Sequence, residues 1–509
     1  MRLWTQCLKY APLLFFWFIS SAYTTATEVP KFNKFTVDLE SFPKDMKMVD
    51  LNEDGLKDIF IVTRSSFIIF WQKESGGFSK DPDQILKFGQ GLKAVDIGEV
   101  DFADGKEIIC IGHQGVFYYR HQKNGNFLND PQPLIEKPLS FPSTASYPSI
   151  VNFTRDLNSD GLDEILVPTE KGMMLFWQYC PGEFVRDEHF PVKKATYASA
   201  HTSFWPSSLS KTTQKEKGLV LAPEVCNRED YQFQDVNNDG FFDILVPNEK
   251  NLGFDVFLQT SDKKFLHSTK YSRMYTQALS PKGKTLLLDI NKDGIIDWIN
   301  LKVRGPLEES SLIVPTIQIA AFINKKSEDF ENMSRYVFRS IYLSDFVPIV
   351  DIDQDGSQDI FTIYADLGLA SKENIIRFLS KGKVDLLLRC YLFNSKKQGY
   401  SYTSDLAYPF VLECGDLADI SQSIFVDFTG DFDGNGTHDF CFRKKAGTLS
   451  IVLLRRNRQK LSVLNEFEVQ IPADTTLIKI LDINRDGKAD FLTLNESGTE
   501  LTIFRNQNL

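Results

Sequence analysis

One acidic phrase returns down the chain, and it constrains the fold more than any other feature. Seven copies read VDLNEDGLKDIFIV, RDLNSDGLDEILVP, QDVNNDGFFDILVP, LDINKDGIIDWINL, VDIDQDGSQDIFTI, GDFDGNGTHDFCFR and LDINRDGKADFLTL. An eighth, VDFADGKEIICIG, is worn: aligned on its glycine it is too short, with Phe102 and Ile108 where oxygen ligands belong. The shared glycine falls at Gly55, Gly105, Gly161, Gly240, Gly294, Gly356, Gly436 and Gly487, at intervals of 50, 56, 79, 54, 62, 80 and 51 residues. A period of this kind marks a repeat architecture, not the roughly three separate domains that length alone would suggest.

The residue types inside the phrase point to a metal. Positions 1, 3 and 5 are aspartate or asparagine, position 6 is a glycine that permits the bend, position 7 offers a backbone carbonyl and position 9 adds a carboxylate. The ligand sets so defined are Asp50, Asn52, Asp54, Leu56 and Asp58; Asp156, Asn158, Asp160, Leu162 and Glu164; and Asp235, Asn237, Asp239, Phe241 and Asp243. They continue with Asp289, Asn291, Asp293, Ile295 and Asp297; Asp351, Asp353, Asp355, Ser357 and Asp359; Asp431, Asp433, Asn435, Thr437 and Asp439; and Asp482, Asn484, Asp486, Lys488 and Asp490. All-oxygen sets suit calcium, whereas zinc favours His or Cys and magnesium a smaller octahedral cage. The competing reading is seven acidic turns without a cation, in which the clustered carboxylates would repel one another. An EF-hand is excluded because position 12 is Ile61, Val167, Val246, Asn300, Thr362, Phe442 or Thr493, never the required glutamate. A dockerin would carry its loops as a close pair.

The flanks predict strands. Apolar runs such as MKMV, KTLLL and LIKIL precede the loops, and DIFIV, DILVP and DFLTL follow them. IFWQKESGGF at 69–78, FYYRHQKNGNF at 117–127, LFWQYCPGEF at 175–184 and VFLQTSDKKF at 256–265 align as a third strand, a turn and the start of a fourth. Four strands per 50–60 residues predict an all-β chain folded as a β-propeller, with eight blades favoured over seven. The last blade stops one strand short at Leu509, and FNKFTVDLE at 32–40 is expected to supply that strand and close the ring.

With its seven D-x-[DN]-x-[DN]-G-x-x-[DE] loops, the chain resembles the FG-GAP/VCBS repeat family, which includes the propeller head of integrin α-chains, over nearly all of residues 30–509. The resemblance implies a calcium loop between the first two strands of each blade. The Phe-Gly and Gly-Ala-Pro tags of the family are nearly missing, with only Phe88-Gly89 matching the first.

Residues 1–22 read as a secretory signal peptide: Arg2 and Lys9, an apolar run from Leu13 to Ile19, then Ser20-Ser21-Ala22. The expected mature chain is therefore secreted, extracellular or periplasmic, with no membrane span. Its charge would be about −13 against −11 for the whole chain, so about seven calcium ions would bring it near neutrality. This acidity argues against a nucleic-acid partner. Cys7 leaves with the signal, and of the remaining cysteines Cys180 with Cys226 and Cys390 with Cys414 are the expected disulfides; Cys110 and Cys441 are expected as buried thiols.

The two long intervals suggest insertions at about 191–231 and 376–424. Insertions in repeat proteins often carry binding, which makes Tyr197, His201, Phe204 and Trp205, and Tyr391, Tyr400, Tyr402 and Tyr408, candidate contacts. The alternative is that these aromatics only pack the insertions onto the ring. The catalytic motifs of serine hydrolases, zinc proteases, P-loop enzymes and dinucleotide enzymes do not occur. The expected function is a non-catalytic, monomeric binding or adhesion module for an extracellular protein or glycan. Its rival is a polysaccharide-degrading enzyme or lectin with a central or insertion-lined pocket.

Overall fold

The structure is a computed structural model that describes residues 29–39, 43–102, 105–122, 125–137, 148–169, 172–191, 232–248, 250–278, 284–304, 316–324, 333–341, 349–365, 382–413, 428–457 and 460–507. The expected signal peptide, Tyr197, His201, Phe204, Trp205, Cys226 and Cys414 lie outside these residues. The chain folds as an eight-bladed β-propeller of four-stranded antiparallel sheets. Blade 1 runs from Asp45 to Lys87, blade 2 from Leu92 to Ile135, blade 3 from Thr154 to Arg186 and blade 4 from Gln232 to Ser268. Blade 5 runs from Lys284 to Ile341, blade 6 from Ile349 to Glu413, blade 7 from Thr429 to Gln470 and blade 8 from Thr475 to Asn506. Ser149–Ile150 adds a short parallel fifth strand to blade 2.

The middle strands are apolar without interruption because both of their faces are covered. In blade 1, Ile59, Ile61, Ile68 and Phe70 pack towards blade 8, against Leu492, Leu494, Leu501 and Ile503. Phe60, Val62, Phe67 and Ile69, one register on, pack towards Val95, Ile97, Ile108 and Cys110 of blade 2. The same arrangement repeats between every pair of neighbours, so the core is a ring of eight inter-blade layers.

The expected closure is present. Phe32–Asp38 pairs antiparallel with Glu500–Asn506, from Phe32 opposite Asn506 to Asp38 opposite Glu500, and becomes the outer strand of blade 8.

Two expectations are corrected. The expected insertion at 376–424 includes two blade strands: Lys383–Tyr391 and Leu406–Glu413 are the third and fourth strands of blade 6. Between these two strands the same stretch adds a hairpin of Phe393–Asn394 and Gly399–Tyr400, and residues 376–381 and 414–424 lie outside the described residues. The Cys390–Cys414 disulfide is incompatible with the register. Cys390 is opposite Leu406, whereas Glu413, the neighbour of Cys414, is opposite Lys383 at the far end of the strand. Seven residues of strand span roughly 23 Å, and a disulfide needs Cα atoms within about 7 Å. Cys390 is a buried thiol and Cys180 an exposed one; Cys110 and Cys441 are buried thiols, as expected.

Candidate metal loops

All seven acidic loops adopt one conformation. The position-1 carboxylate accepts the amide of the glycine at 2.8–3.0 Å in every copy, from Asp50 and Gly55 to Asp482 and Gly487. The position-5 side chain accepts the position-7 amide at 2.7–3.0 Å. The glycines have φ between 79° and 93°, a region closed to most side chains, so the glycine is required. Position 4 is also left-handed, at Glu53, Ser159, Asn238, Lys292, Gln354, Gly434 and Arg485. Sequence gave no sign of this, because most of those residue types do not favour the conformation.

From position 4 several side chains reach the next blade's loop. Ser159 donates to the Gly240 carbonyl at 2.9 Å, Asn238 to the Gly294 carbonyl at 2.6 Å, and Arg485 to Asp50 at 3.4 Å across the ring closure. The loops thus form a linked rim on one face of the propeller.

Position 9 does more than the sequence reading gave it. In each of the seven loops its carboxylate accepts the position-2 amide at 2.8–3.1 Å. Where it is aspartate, the second oxygen takes an amide of the same blade at 2.6–2.9 Å: Gln72, Gln259, Asn324, Phe393, Leu454 or Asn506. The carboxylate therefore clamps the loop to the blade. Replacing Asp439 by alanine strands the buried amides of Phe432 and Leu454. A loss of about 2–5 kcal/mol is expected by chemical denaturation, with Asp439→Asn losing less because it keeps one acceptor.

Burial pushes these carboxylates up, against the pull of their amide bonds and with help from acidic neighbours. Asp58, Asp243 and Asp490 rise to about 7, and Asp297, Asp359, Asp439 and Glu164 to about 8. An acid raised in the folded state binds more protons there than unfolded, so its stabilising effect is complete near pH 4 and is lost as pH rises through 7–8. In a chelator, the melting temperature should therefore fall between pH 5 and pH 8.5; a rise over that range would contradict this protonation scheme.

The inner oxygens fit a hard cation. One oxygen from each of Asp351, Asp353 and Asp359 lies within 4.8 Å of the others, and the same holds for Asp431, Asp433 and Asp439. Asp50 Oδ1, Asp353 Oδ1 and Asn484 Oδ1 are buried with no hydrogen-bond partner, all at positions 1 or 3. Nearby bases balance part of the charge: Arg456 sits 3.0 Å from Asp353 and Lys263 3.7 Å from Asp160.

The worn eighth phrase needs a correction. Val100 donates its amide to Glu107 at 3.1 Å, as position 2 does to position 9 elsewhere, and Phe102 takes the left-handed position-4 conformation. The loop is therefore 99–107 at full length, with Glu99, Asp101 and Glu107 at positions 1, 3 and 9. Its glycine, Gly105, has moved one place along.

The aromatic contact candidates divide. Tyr391 and Tyr400 are buried between blades 5 and 6 and are not surface contacts: Tyr391 packs on Phe338, and Tyr400 on Tyr336 and Phe338. The Tyr400 hydroxyl donates to the Gln358 carbonyl at 2.6 Å. Tyr408 is half-buried and bonds Glu466, while Tyr402 is 84% exposed. A cleft of about 880 Å³ that the sequence did not signal opens on the opposite face, where Gly89, Gly91, Gly112 and Gly115 leave room beside Gln90, His113, Gln114 and Phe117. Ser272 lies 3.2 Å from His267, but its hydroxyl also donates to the Ser268 carbonyl at 2.6 Å and accepts the Val256 amide at 2.9 Å. This pair fastens the short helix Thr269–Met274 to its blade.

No family model and no curated protein sequence matches the chain. Among solved structures it is similar to an Agrocybe aegerita lectin described as recognising non-reducing terminal N-acetylglucosamine (12% identity, 94% of this chain and 95% of that one, TM-score 0.40). It is also similar to Sqt1 of Saccharomyces cerevisiae (10% identity, 93% and 100%, TM-score 0.36) and to the WD40 domain of SCAP from fission yeast (10% identity, 74% and 78%, TM-score 0.33).

Proposed function

We propose that this chain is a secreted, calcium-stabilised propeller of the FG-GAP/VCBS type that serves as a non-catalytic binding module for an extracellular protein or glycan. The observation that carries the calcium reading is the set of seven loops of one conformation: in three of them a buried oxygen at a ligand position (Asp50, Asp353 or Asn484) lacks any donor, and in two the carboxylates converge within 4.8 Å. A cation supplies the missing partner and relieves the repulsion. The loops are built into the first hairpin of each blade and linked along one rim, which suits calcium as a stabiliser of the ring. The cleft beside Gln90, His113 and Phe117 offers the mixed polar and aromatic surface that such a module uses. Metal analysis of the purified chain after dialysis against micromolar calcium tests the reading: about seven ions per chain are expected, and a metal-free chain would overturn it.

A further inference from the structure

Aligned on Gly105, the phrase in blade 2 has Phe102 and Ile108 where oxygen ligands belong; the loop conformation brings Glu99, Asp101 and Glu107 together in their place. We propose that residues 99–107 form an eighth divalent-cation site, held by Glu99, Asp101 and Glu107. One carboxylate oxygen of each lies within 4.8 Å of the other two. Glu107 is fully buried; its Oε2 accepts the Val100 amide, and its Oε1 is buried with no hydrogen-bond partner. An ionised oxygen so placed, beside two further carboxylates, is costly unless a positive charge meets it.

The other two carboxylates are held by partners of their own. Glu99 Oε1 accepts the Phe102 amide at 2.6 Å. Asp101 Oδ2 meets the Arg120 guanidinium at 2.8 Å and the Tyr118 hydroxyl at 3.3 Å. The same arrangement occurs at Asp353, where Arg456 holds one oxygen and leaves the other free.

Position 5 here is Ala103, with no side-chain oxygen. The site therefore has fewer donors than the other seven and fills at higher calcium concentration. The proposal rests on the calcium reading above, and the test separates the two. Native mass spectrometry of the full chain, titrated with calcium, is compared with Glu107→Gln, which keeps an acceptor for Val100. The wild type is expected to hold one ion more than the variant at saturation, and that last ion should bind most weakly. Equal counts would overturn the eighth site and leave the seven-loop reading intact, with a proton on Glu107 as the alternative. No bound ion in either protein would remove both. Should Glu107→Gln fail to fold, as judged by its melting curve in chelator, Asp101→Asn carries the same comparison.

Discussion

In a chelator the chain should melt roughly 10–20 °C below its calcium-loaded form. A site bound only in the folded state adds about 2.7 kcal/mol when calcium stands at 100 times the dissociation constant, and seven such sites approach 19 kcal/mol. A chain of this size has an unfolding entropy of about 1 kcal/mol/K, so the shift is of the order of 20 °C at full occupancy and smaller when loops fill partly. The shift should also reverse the pH dependence. Calcium competes with the protons held by Asp297, Asp359 and Asp439, so the loaded protein should gain stability above pH 6 where the chelated protein loses it. Superimposable melting curves with and without calcium would remove the metal from the description and leave the loops as hydrogen-bonded acidic turns.

The seven loops were legible in sequence because each position answers a fixed geometric demand: an oxygen at 1, 3 and 5, and a glycine where only a glycine bends. The blade count followed from the spacing of those glycines, and ring closure from the apolar strand at 32–40. Alignment on glycine also misled. In blade 2 the carboxylates kept their places while Gly105 moved, so Glu99 went unnoticed and Glu107 was out of register. The clamp made by position 9 depends on which amide the neighbouring strand presents, and no local pattern encodes that. Tyr391 and Tyr400 were misplaced for a related reason: within the stretch counted as an insertion, Tyr391 ends the third strand of blade 6 and Tyr400 lies in a hairpin that packs on blade 5. An unusual interval says that residues were added, not where in the unit they went.

Removing residues 29–39 should do more damage than any single loop change. Phe32–Asp38 supplies the fourth strand of blade 8, and its side chains join the blades on either side. Val37 and Leu39 are buried in the layer shared with blade 1, while Phe32 packs edge-on against Phe432 at 6.2 Å and Phe491 at 5.1 Å on the other side. Losing the strand forfeits about 1.5–3 kcal/mol for each large apolar side chain that is no longer buried. It also leaves Glu500–Asn506 as an open edge whose own Leu501 and Ile503 belong to the core. The truncated chain should therefore form soluble oligomers or aggregate on size-exclusion chromatography, and its thermal transition should broaden or disappear. Calcium should not restore it, because every loop lies within the first hairpin of its own blade, and the exposed Arg485–Asp50 contact at 3.4 Å between loops across the seam does not replace a buried strand. Adding a peptide of residues 29–39 in trans should recover part of the monomer by filling the open edge. A truncated chain that stays monomeric and melts as the full one does would show that the ring is held by its blade-to-blade layers alone, with the shared strand contributing nothing to closure.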